Sequence, residues 1–265
     1  TRRTVNNKSS YDTIVENVRP ILSPEPGTPR PPRGVKVLAV VDPMNVAHLG
    51  DSFEALLKMG AKNLSMNLNY EADWDQESLT TLSASLADLG ERYMNAHRSG
   101  TAFTLNLMDG KIITGIKGGF SCADRCDFGI AEVAVAPSGR LYPCDRMVGE
   151  DTGDDVVIGN VWDGIDHDKR AQLTGQKNQE KEACNGCALV SRCMHWCGCV
   201  NQAMTGSVGG VSGLLCQFEQ ALVDEADRVA STLYQEQNPH FLRRFYAPRM
   251  AQDKPNVLTS SQPQR

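Results

Sequence analysis

The chain has 265 residues, which is enough for one large domain or two ordinary ones with an apolar core. Its 27 Lys and Arg against 32 Asp and Glu give a net charge of −5, which argues against a nucleic-acid groove or an anionic membrane as the main partner. No apolar run approaches the roughly 18–20 residues that span a bilayer, and no signal peptide is recognisable. Because the sequence begins with Thr1, we expect a fragment or a processed product. Because no export signal is recognisable, we expect the protein in the cytoplasm.

Residues 1–118 show the alternation of elements that is typical of parallel βαβ units with helices on the outside. Helices are predicted at 11–22, 46–59 and 76–98, the last capped by Asp75, and strands at 35–41, 63–69 and 102–107. A proline-rich loop at 23–34 interrupts the pattern. Three strands cannot close a barrel, and no strand precedes the first helix. We therefore expect the second half of an α/β barrel whose first half is absent.

Residues 119–236 predict a different, cysteine-rich module with a β-hairpin and helices. The hairpin is predicted at 131–144 around the turn Pro137–Gly139, a further short strand at 156–162, and an amphipathic helix from Cys216 to about residue 235. Residues 237–265 are expected to form a C-terminal tail, and the polar segment 251–265 is expected to be disordered.

Cysteine usage is the sharpest signal in the sequence, because all nine cysteines lie between Cys122 and Cys216. Exported disulfide-rich proteins are the alternative, but there is no export signal and the count is odd. A C-x2-C turn such as Cys184–Cys187 presents two thiolates on one side of the backbone. Eight cysteines make two four-thiolate sites and leave Cys199 over as a bystander. Spacing alone leaves zinc and iron–sulfur almost equally supported.

The spacing resembles the SPASM domain of radical S-adenosylmethionine (radical SAM) enzymes that mature peptides and proteins. The family pattern C-x(9–15)-G-x4-C, C-x2-C-x5-C-x3-C and a final C is matched by Cys126, Gly139, Cys144, Cys184, Cys187, Cys193, Cys197 and Cys216. The resemblance implies two auxiliary [4Fe–4S] clusters. The first would be bound by Cys122, Cys126, Cys144 and Cys197, and the second by Cys184, Cys187, Cys193 and Cys216.

One family motif is missing. The catalytic cluster of radical SAM enzymes is held by C-x3-C-x2-C, whereas Cys122 and Cys126 are followed by Gly129 at the third position. We therefore expect S-adenosylmethionine and a third [4Fe–4S] cluster only in the intact enzyme, where a 5′-deoxyadenosyl radical would abstract hydrogen from a peptide. The expected partners are a peptide or protein substrate and a reductant such as ferredoxin or flavodoxin. A second chain that supplies the missing barrel half is the alternative to truncation.

Four further residues are candidates for the site. Asp145 directly follows Cys144, and in sulfatase-maturing relatives the aspartate at this place is the general base; a turn residue that bonds its own backbone is the alternative. Asn67, Asn69 and Asn106 follow predicted strands, where carboxamides suit S-adenosylmethionine or a peptide backbone, although ordinary capping explains them too. The rival functions are a non-catalytic iron–sulfur module for peptide binding or electron transfer, and a structural zinc protein.

Overall fold

A computed structural model describes residues 6–7, 9–23 and 35–247, apart from the side chain of Cys122. The predicted proline-rich loop beyond Ser23 and the predicted disordered segment 251–265 lie outside the described residues. The first part of the chain contains α1 (Tyr11–Leu22), β1 (Val37–Val41), α2 (Leu49–Lys58), β2 (Asn63–Leu68), α3 (Gln76–Arg98), β3 (Thr104–Leu105) and α4 (Asn106–Lys117). The second part contains β4 (Ala134–Val135), β5 (Leu141–Tyr142), β6 (Gly159–Asn160), β7 (Gly164–Ile165), α5 (His167–Asn178), α6 (Gly198–Thr205), α7 (Gly213–Gln235) and α8 (Pro239–Phe245).

A three-stranded parallel sheet with the order β1-β2-β3 organises the first part, as the βαβ pattern predicted. The side chains of β2 alternate, so that Leu64, Met66 and Leu68 are buried beneath the helices. On β1 the opposite face is open, with Leu38 and Val40 exposed at 67% and 60%. The sheet of the described residues is therefore covered by helices on one face and largely open on the other.

The predicted N-cap of α3 is confirmed. The Asp75 carboxylate accepts a hydrogen bond from the Ser78 backbone N–H at 2.8 Å, and the Ser78 hydroxyl accepts from the Asp75 N–H at 2.9 Å. This reciprocal pair satisfies two backbone N–H groups that the helix itself leaves without partners. It fixes the direction in which α3 leaves the end of β2.

The predicted strand at 102–107 is wrong at its C-terminal end, where β3 stops at Leu105 and the unpredicted helix α4 begins. Beyond Leu105 the hydrogen bond to β2 is made by a side chain, since the Asn106 Oδ1 accepts the Met66 backbone N–H at 2.8 Å. Asp109 accepts the Leu105 N–H at 2.8 Å and so holds the first turn of the helix. The buried polar residues of α4 obscure its apolar periodicity in the sequence.

The β4–β5 hairpin agrees with the hairpin predicted at 131–144, whereas the β6–β7 hairpin contains a strand, β7, that the sequence did not predict. In the β4–β5 turn, Gly139 has a φ of +84°, a conformation that favours glycine, and a Cβ there would lie 2.6 Å from the Trp162 ring. The glycine of the family pattern is thus required by the turn itself. Strand β6 within the predicted 156–162 segment pairs with β7.

Helices α7 and α8 close the first core rather than standing apart from it. On α7, capped by Ser212, the buried residues Phe218, Leu222 and Val229 pack with the residues of α3 and α4. On α8, within the predicted tail, Phe241 and Phe245 are buried in the same core. The second core surrounds the hairpins and α6, and Tyr70 and Met204 pack against both cores. The chain thus returns to the α/β part after the cysteine-rich loops.

None of the helices within the described residues is both long and apolar enough to cross a bilayer. No residue of α1 is fully buried: Ile14 and Ile21 are 48% and 45% exposed, and Leu22 is half-buried against the first core. Helix α1 therefore contributes no fully buried side chain to either core.

Candidate metal centre and adjoining cavities

Four cysteines form a first thiol group between β5 and α6: Cys126, Cys144, Cys197 and Cys199. Cys144 follows β5, and Cys197 is the N-cap residue of α6. Burial, followed by the charge of Cys197, raises the pKa of Cys126. The predicted ligand Cys122 begins the 3-10 turn Cys122–Asp124, and its side chain lies outside the described part of the chain.

Cys199 is the member of this group that the sequence had assigned to no site. Its sulfur lies 3.4 Å from the Cys197 sulfur, and it also shares a hydrogen bond with Cys144. The hydrogen bond with Cys199 lowers the pKa of Cys144 and lowers that of Cys197 to about 6. The same hydrogen bonds raise the pKa of Cys199. The three thiols are buried, and either sulfur of the Cys197–Cys199 pair is able to donate the hydrogen bond.

A second thiol group consists of Cys184, Cys187, Cys193 and Cys216, the four residues predicted for the second cluster. The backbone N–H of Cys187 donates to the Cys184 carbonyl at 3.1 Å, which closes the C-x2-C turn. Burial, then the charges of Cys216 and Cys187, raise the pKa of Cys184. Burial, then the charge of Glu219, raises the pKa of Cys193 to about 12, with a smaller contribution from Cys216. These interactions link Cys184 with Cys187 and Cys216, and Cys193 with Cys216.

The donor chemistry of both groups fits a [4Fe–4S] cluster or a tetrahedral zinc ion, because each offers four cysteine sulfurs from separate segments. The buried thiol of Cys193 and the half-buried thiol of Cys126 keep their protons unless a cation compensates the thiolate charge. A bound metal group supplies that compensation. The two groups thus have the composition of metal sites rather than of a disulfide network.

Asp145 lies at the surface beside the first thiol group. Its Oδ1 accepts the Arg146 backbone N–H at 2.9 Å and lies 3.4 Å from the Cys144 sulfur. Glu132, which the sequence did not single out, completes a cluster in which one ligand atom each of Glu132, Cys144 and Asp145 lies within 4.8 Å of the others. Asp145 therefore makes the local backbone bond of a turn residue and also places a carboxylate against a thiol.

Two cavities lie at the C-terminal end of the sheet, and the second of them is lined by Cys199 of the first thiol group. The first cavity has a volume of about 180 Å³ and is lined by Asn67, Leu68, Tyr70, Asn106, Leu107, Gly110, Lys111, Phe120, Arg146, Met194, Glu219 and Leu222. The second cavity, of about 390 Å³, is lined by Leu38, Val40, Asn67, Leu68, Asn69, Tyr70, Glu71, Arg146, Cys199, Val200 and Ala203. The two cavities share part of their walls, since Asn67, Leu68, Tyr70 and Arg146 line both.

The three predicted carboxamides all line these cavities, but they also bond within the protein. The Asn106 amide donates to the Asn67 Oδ1 at 2.9 Å, and the Asn67 amide donates to the Ser65 hydroxyl at 3.3 Å. The Asn69 Oδ1 accepts the Glu71 backbone N–H at 3.2 Å. The structure therefore joins Asn67 with Asn106, while Asn69 lies only on the second cavity.

The sequence also missed a buried ion pair at the wall of the first cavity. Lys111 on α4 and Glu219 on α7 are only 6% and 1% exposed, and the Lys111 Nζ lies 2.5 Å from the Glu219 Oε2. That oxygen also accepts the Met194 backbone N–H at 3.0 Å, which ties the cysteine loop to α7. The Glu219 Oε1 has no hydrogen-bond partner among the described residues. In the sequence, this pair is indicated by the position of Glu219 on the apolar face of α7.

The architecture of this chain is similar to that of solved structures. No family model and no curated protein matches the chain. It is similar to the solved structure of native anSMEcpe with bound AdoMet and the Kp18Cys peptide, with a TM-score of 0.64, 15% identity, and coverage of 89% of this chain and 65% of that chain. The structure with AdoMet and the Cp18Cys peptide gives a TM-score of 0.65 and 16% identity at the same coverage. With AdoMet alone, the values are 0.57 and 18%, covering 74% of this chain and 56% of that chain.

The enzyme anSMEcpe is an anaerobic sulfatase-maturating enzyme of the radical SAM/SPASM type. The chain spans less than two thirds of its length in each of these three structures. At this level of identity the likeness is one of fold. The chain therefore shares the fold of a radical SAM/SPASM enzyme, as the cysteine spacing predicted.

Proposed function

We propose that this chain is the C-terminal portion of a radical SAM/SPASM maturase that modifies a peptide or protein. The observation that carries the proposal is that cysteines from separate segments approach one another, Cys126 with Cys197 and Cys184 with Cys216, while Cys199 lines a cavity at the C-terminal end of a parallel sheet. That end of the sheet is where α/β folds of this kind hold their active sites. Residues 1–118 would then be the second half of the barrel, 119–236 the auxiliary-cluster domain and 237–265 the tail.

The two thiol groups would hold two auxiliary [4Fe–4S] clusters. The motif assigns Cys122, Cys126, Cys144 and Cys197 to the first and Cys184, Cys187, Cys193 and Cys216 to the second. Contacts within each group support this division, since Cys126 is influenced by Cys197, and Cys184 and Cys193 by Cys216. When bound, such clusters supply a site for substrate or an acceptor for the electron that substrate oxidation releases.

The substrate peptide would lie along the two cavities. Asn67, Asn69 and Asn106 offer amide groups there, and the free Glu219 Oε1 offers an acceptor for an N–H group. Asp145 is the proposed general base, because its exposed carboxylate lies beside Cys144, where the first cluster would be bound. S-adenosylmethionine, the third cluster and a low-potential reductant would belong to the intact enzyme, in the cytoplasm.

The lack of a C-x3-C-x2-C motif in the sequence favours a second candidate function, a non-catalytic iron–sulfur module that binds a peptide or transfers electrons. The two readings separate when the remaining barrel half is supplied together with S-adenosylmethionine and a reductant. Formation of 5′-deoxyadenosine only in the reconstituted protein supports the maturase. Formation by this chain alone contradicts the truncation.

The metal proposal is tested by purifying the chain without oxygen and measuring iron, acid-labile sulfide and zinc per chain. We expect brown protein with about eight irons and about eight sulfides. Bound zinc in place of iron would support the structural zinc protein instead. Folded protein that is colourless and free of metal would contradict both metal readings.

A further inference from the structure

Lys177 lies on the inward face of helix α5, where an apolar residue is expected. The helix buries two side chains, Leu173 and Lys177, and their spacing of four residues places both on the same face. Lys177 is only 4% exposed, so its ammonium group has lost most of its contact with water. Burying such a charge is costly unless an opposite charge lies near it. This position therefore requires an anionic partner.

The described part of the chain offers Lys177 no such partner. Its Nζ donates to the Asn178 Oδ1 at 3.3 Å and lies 5.8 Å from the centre of the Phe128 ring. Neither group is charged, and none of the described carboxylates forms an ion pair with Lys177. The other buried lysine of the described residues, Lys111, is paired with Glu219. The described residues thus leave the charge of Lys177 uncompensated.

The side chain of Lys177 lies beside segments that carry two cysteines of the first thiol group. Lys177 and Cys126 line the same cavity of about 230 Å³, and Phe128, next to the Lys177 ammonium group, is two residues from Cys126. A Cβ at Gly198 would lie 3.0 Å from the Phe128 ring and 3.3 Å from the Lys177 Cδ. Gly198 directly follows Cys197 in the chain. Lys177 is therefore positioned next to the place where the first cluster would be bound.

The charges around this cavity do not cancel the charge of Lys177. Arg125 also lines the cavity, and the carboxylate described at its wall, that of Asp127, is exposed to solvent. The carboxylates of Glu132 and Asp145, near the same thiol group, are exposed as well. Water screens exposed charges far more than buried ones. The buried ammonium group therefore dominates the local field.

We propose that Lys177 compensates the negative charge of the first cluster and raises the reduction potential of that cluster. The inference rests on the proposed function, because it presupposes a [4Fe–4S] cluster at the first thiol group. Such a cluster with its four thiolates is an anion, and one-electron reduction adds a further negative charge. A buried positive charge beside it stabilises the reduced state more than the oxidised state. Lys177 is thus a positioning residue that acts through the cluster.

The test is a potentiometric titration of the anaerobically purified chain with dithionite, followed by electron paramagnetic resonance. Lys177→Met replaces the ammonium group with an apolar side chain that suits a buried site. We expect one of the two reduction steps to move to lower potential, so that the ratio of reduced to oxidised first cluster falls about tenfold at a given potential. The other step keeps its wild-type potential. Lys62→Met, which removes an exposed lysine, serves as the control and leaves both steps unchanged.

Lys177→Arg separates the effect of charge from that of packing, because it keeps a positive charge at the site. We expect its two steps to lie closer to the wild-type potentials than those of Lys177→Met. Unchanged steps in Lys177→Met, or equal shifts in Lys177→Met and Lys177→Arg, would overturn the role of the charge. If Lys177→Met loses the first cluster, full iron in Lys177→Arg supports the proposal and an equal loss in both variants overturns it.

The wild-type measurement keeps the two hypotheses apart. Wild-type protein without an iron–sulfur signal would overturn the proposed function. Wild-type protein with two clusters that titrate as they do in Lys177→Met would overturn only the role of Lys177. Circular dichroism confirms that each variant is folded.

Discussion

The Lys111–Glu219 ion pair lines the first cavity and joins α4 in the first part of the chain to α7 in the second part. Each side chain is almost completely buried, so each charge depends on the other for compensation. Glu219 binds Lys111 through one oxygen and leaves its second oxygen without a partner among the described residues. The unpaired oxygen of this buried carboxylate is able to accept a hydrogen bond from a bound ligand. Whether the pair also stabilises the fold is a separate question, which unfolding measurements answer.

We predict that Lys111→Met destabilises the protein by about 3–5 kcal/mol, because it leaves the Glu219 carboxylate buried and uncompensated. Urea unfolding of anaerobic protein measures the change. The double variant Lys111→Met with Glu219→Met restores most of the loss, since two apolar side chains replace the pair. Lys58→Met, which removes the exposed pair with Glu54, serves as the control and changes little. A Lys111→Met effect as small as this control would contradict the account.

Residue roles were only partly predictable from the sequence. The resemblance to the SPASM domain implied that Cys184, Cys187, Cys193 and Cys216 form one ligand set, whereas local spacing revealed only the C-x2-C turn of Cys184 and Cys187. It could not place Cys199, since contact with Cys144 depends on how α6 is oriented against β5. Glu219 was equally hidden, because its partner Lys111 is 108 positions away in the chain.

Among the elements, β1, β2, α2 and α3 were predictable because their periodicity and caps are local. Helix α4 was not, since Asp109, Lys111 and Thr114 are buried and interrupt its apolar pattern. Their partners lie elsewhere: Asp109 binds Tyr93 on α3 and Arg244 on α8, and Lys111 binds Glu219 on α7. Tertiary ion pairs thus override the local pattern.

The junction of α3 and α8 carries a pH prediction. His97 on α3 is 3% exposed, and its ring contacts Phe103, Phe241 and Phe245. Burial, then the positive charge of Arg244, lowers its pKa from 6.5 to about 4. The folded state therefore keeps His97 neutral, while the unfolded state takes up a proton below about pH 6.5. The stability that comes from a neutral His97 is fully present above about pH 6.5 and is lost as the pH falls to about 4.

We expect this residue to cost about 2–3 kcal/mol of stability between pH 6.5 and 4. The measurement is the free energy of unfolding as a function of pH for wild type and His97→Phe, which keeps an aromatic ring in the cluster. The variant should lose less stability than wild type on acidification. His48→Asn, at an exposed histidine, should follow the wild-type curve. Equal slopes for wild type and His97→Phe would contradict the account.

At the scale of the whole molecule, two cores are joined through Tyr70, Met204 and the Lys111–Glu219 pair. Cys144, Cys197 and Cys199 belong to the second core, and α7 brings the chain back to the first core. The sequence predicted the α/β part, the hairpin and the cysteine set. It placed α7 with the cysteine-rich module and α8 with the tail, because nothing local reveals that their apolar faces pack on α3 and α4.

The central claim is that two separate thiol groups of this chain each hold a four-iron cluster. Native mass spectrometry of the anaerobically purified chain tests it most directly, because it resolves each metal group as an added mass. The account predicts a species that carries two groups of four irons and four sulfides, which are lost in two separate steps on oxidation. A folded chain that carries only zinc, or no metal at all, would contradict it.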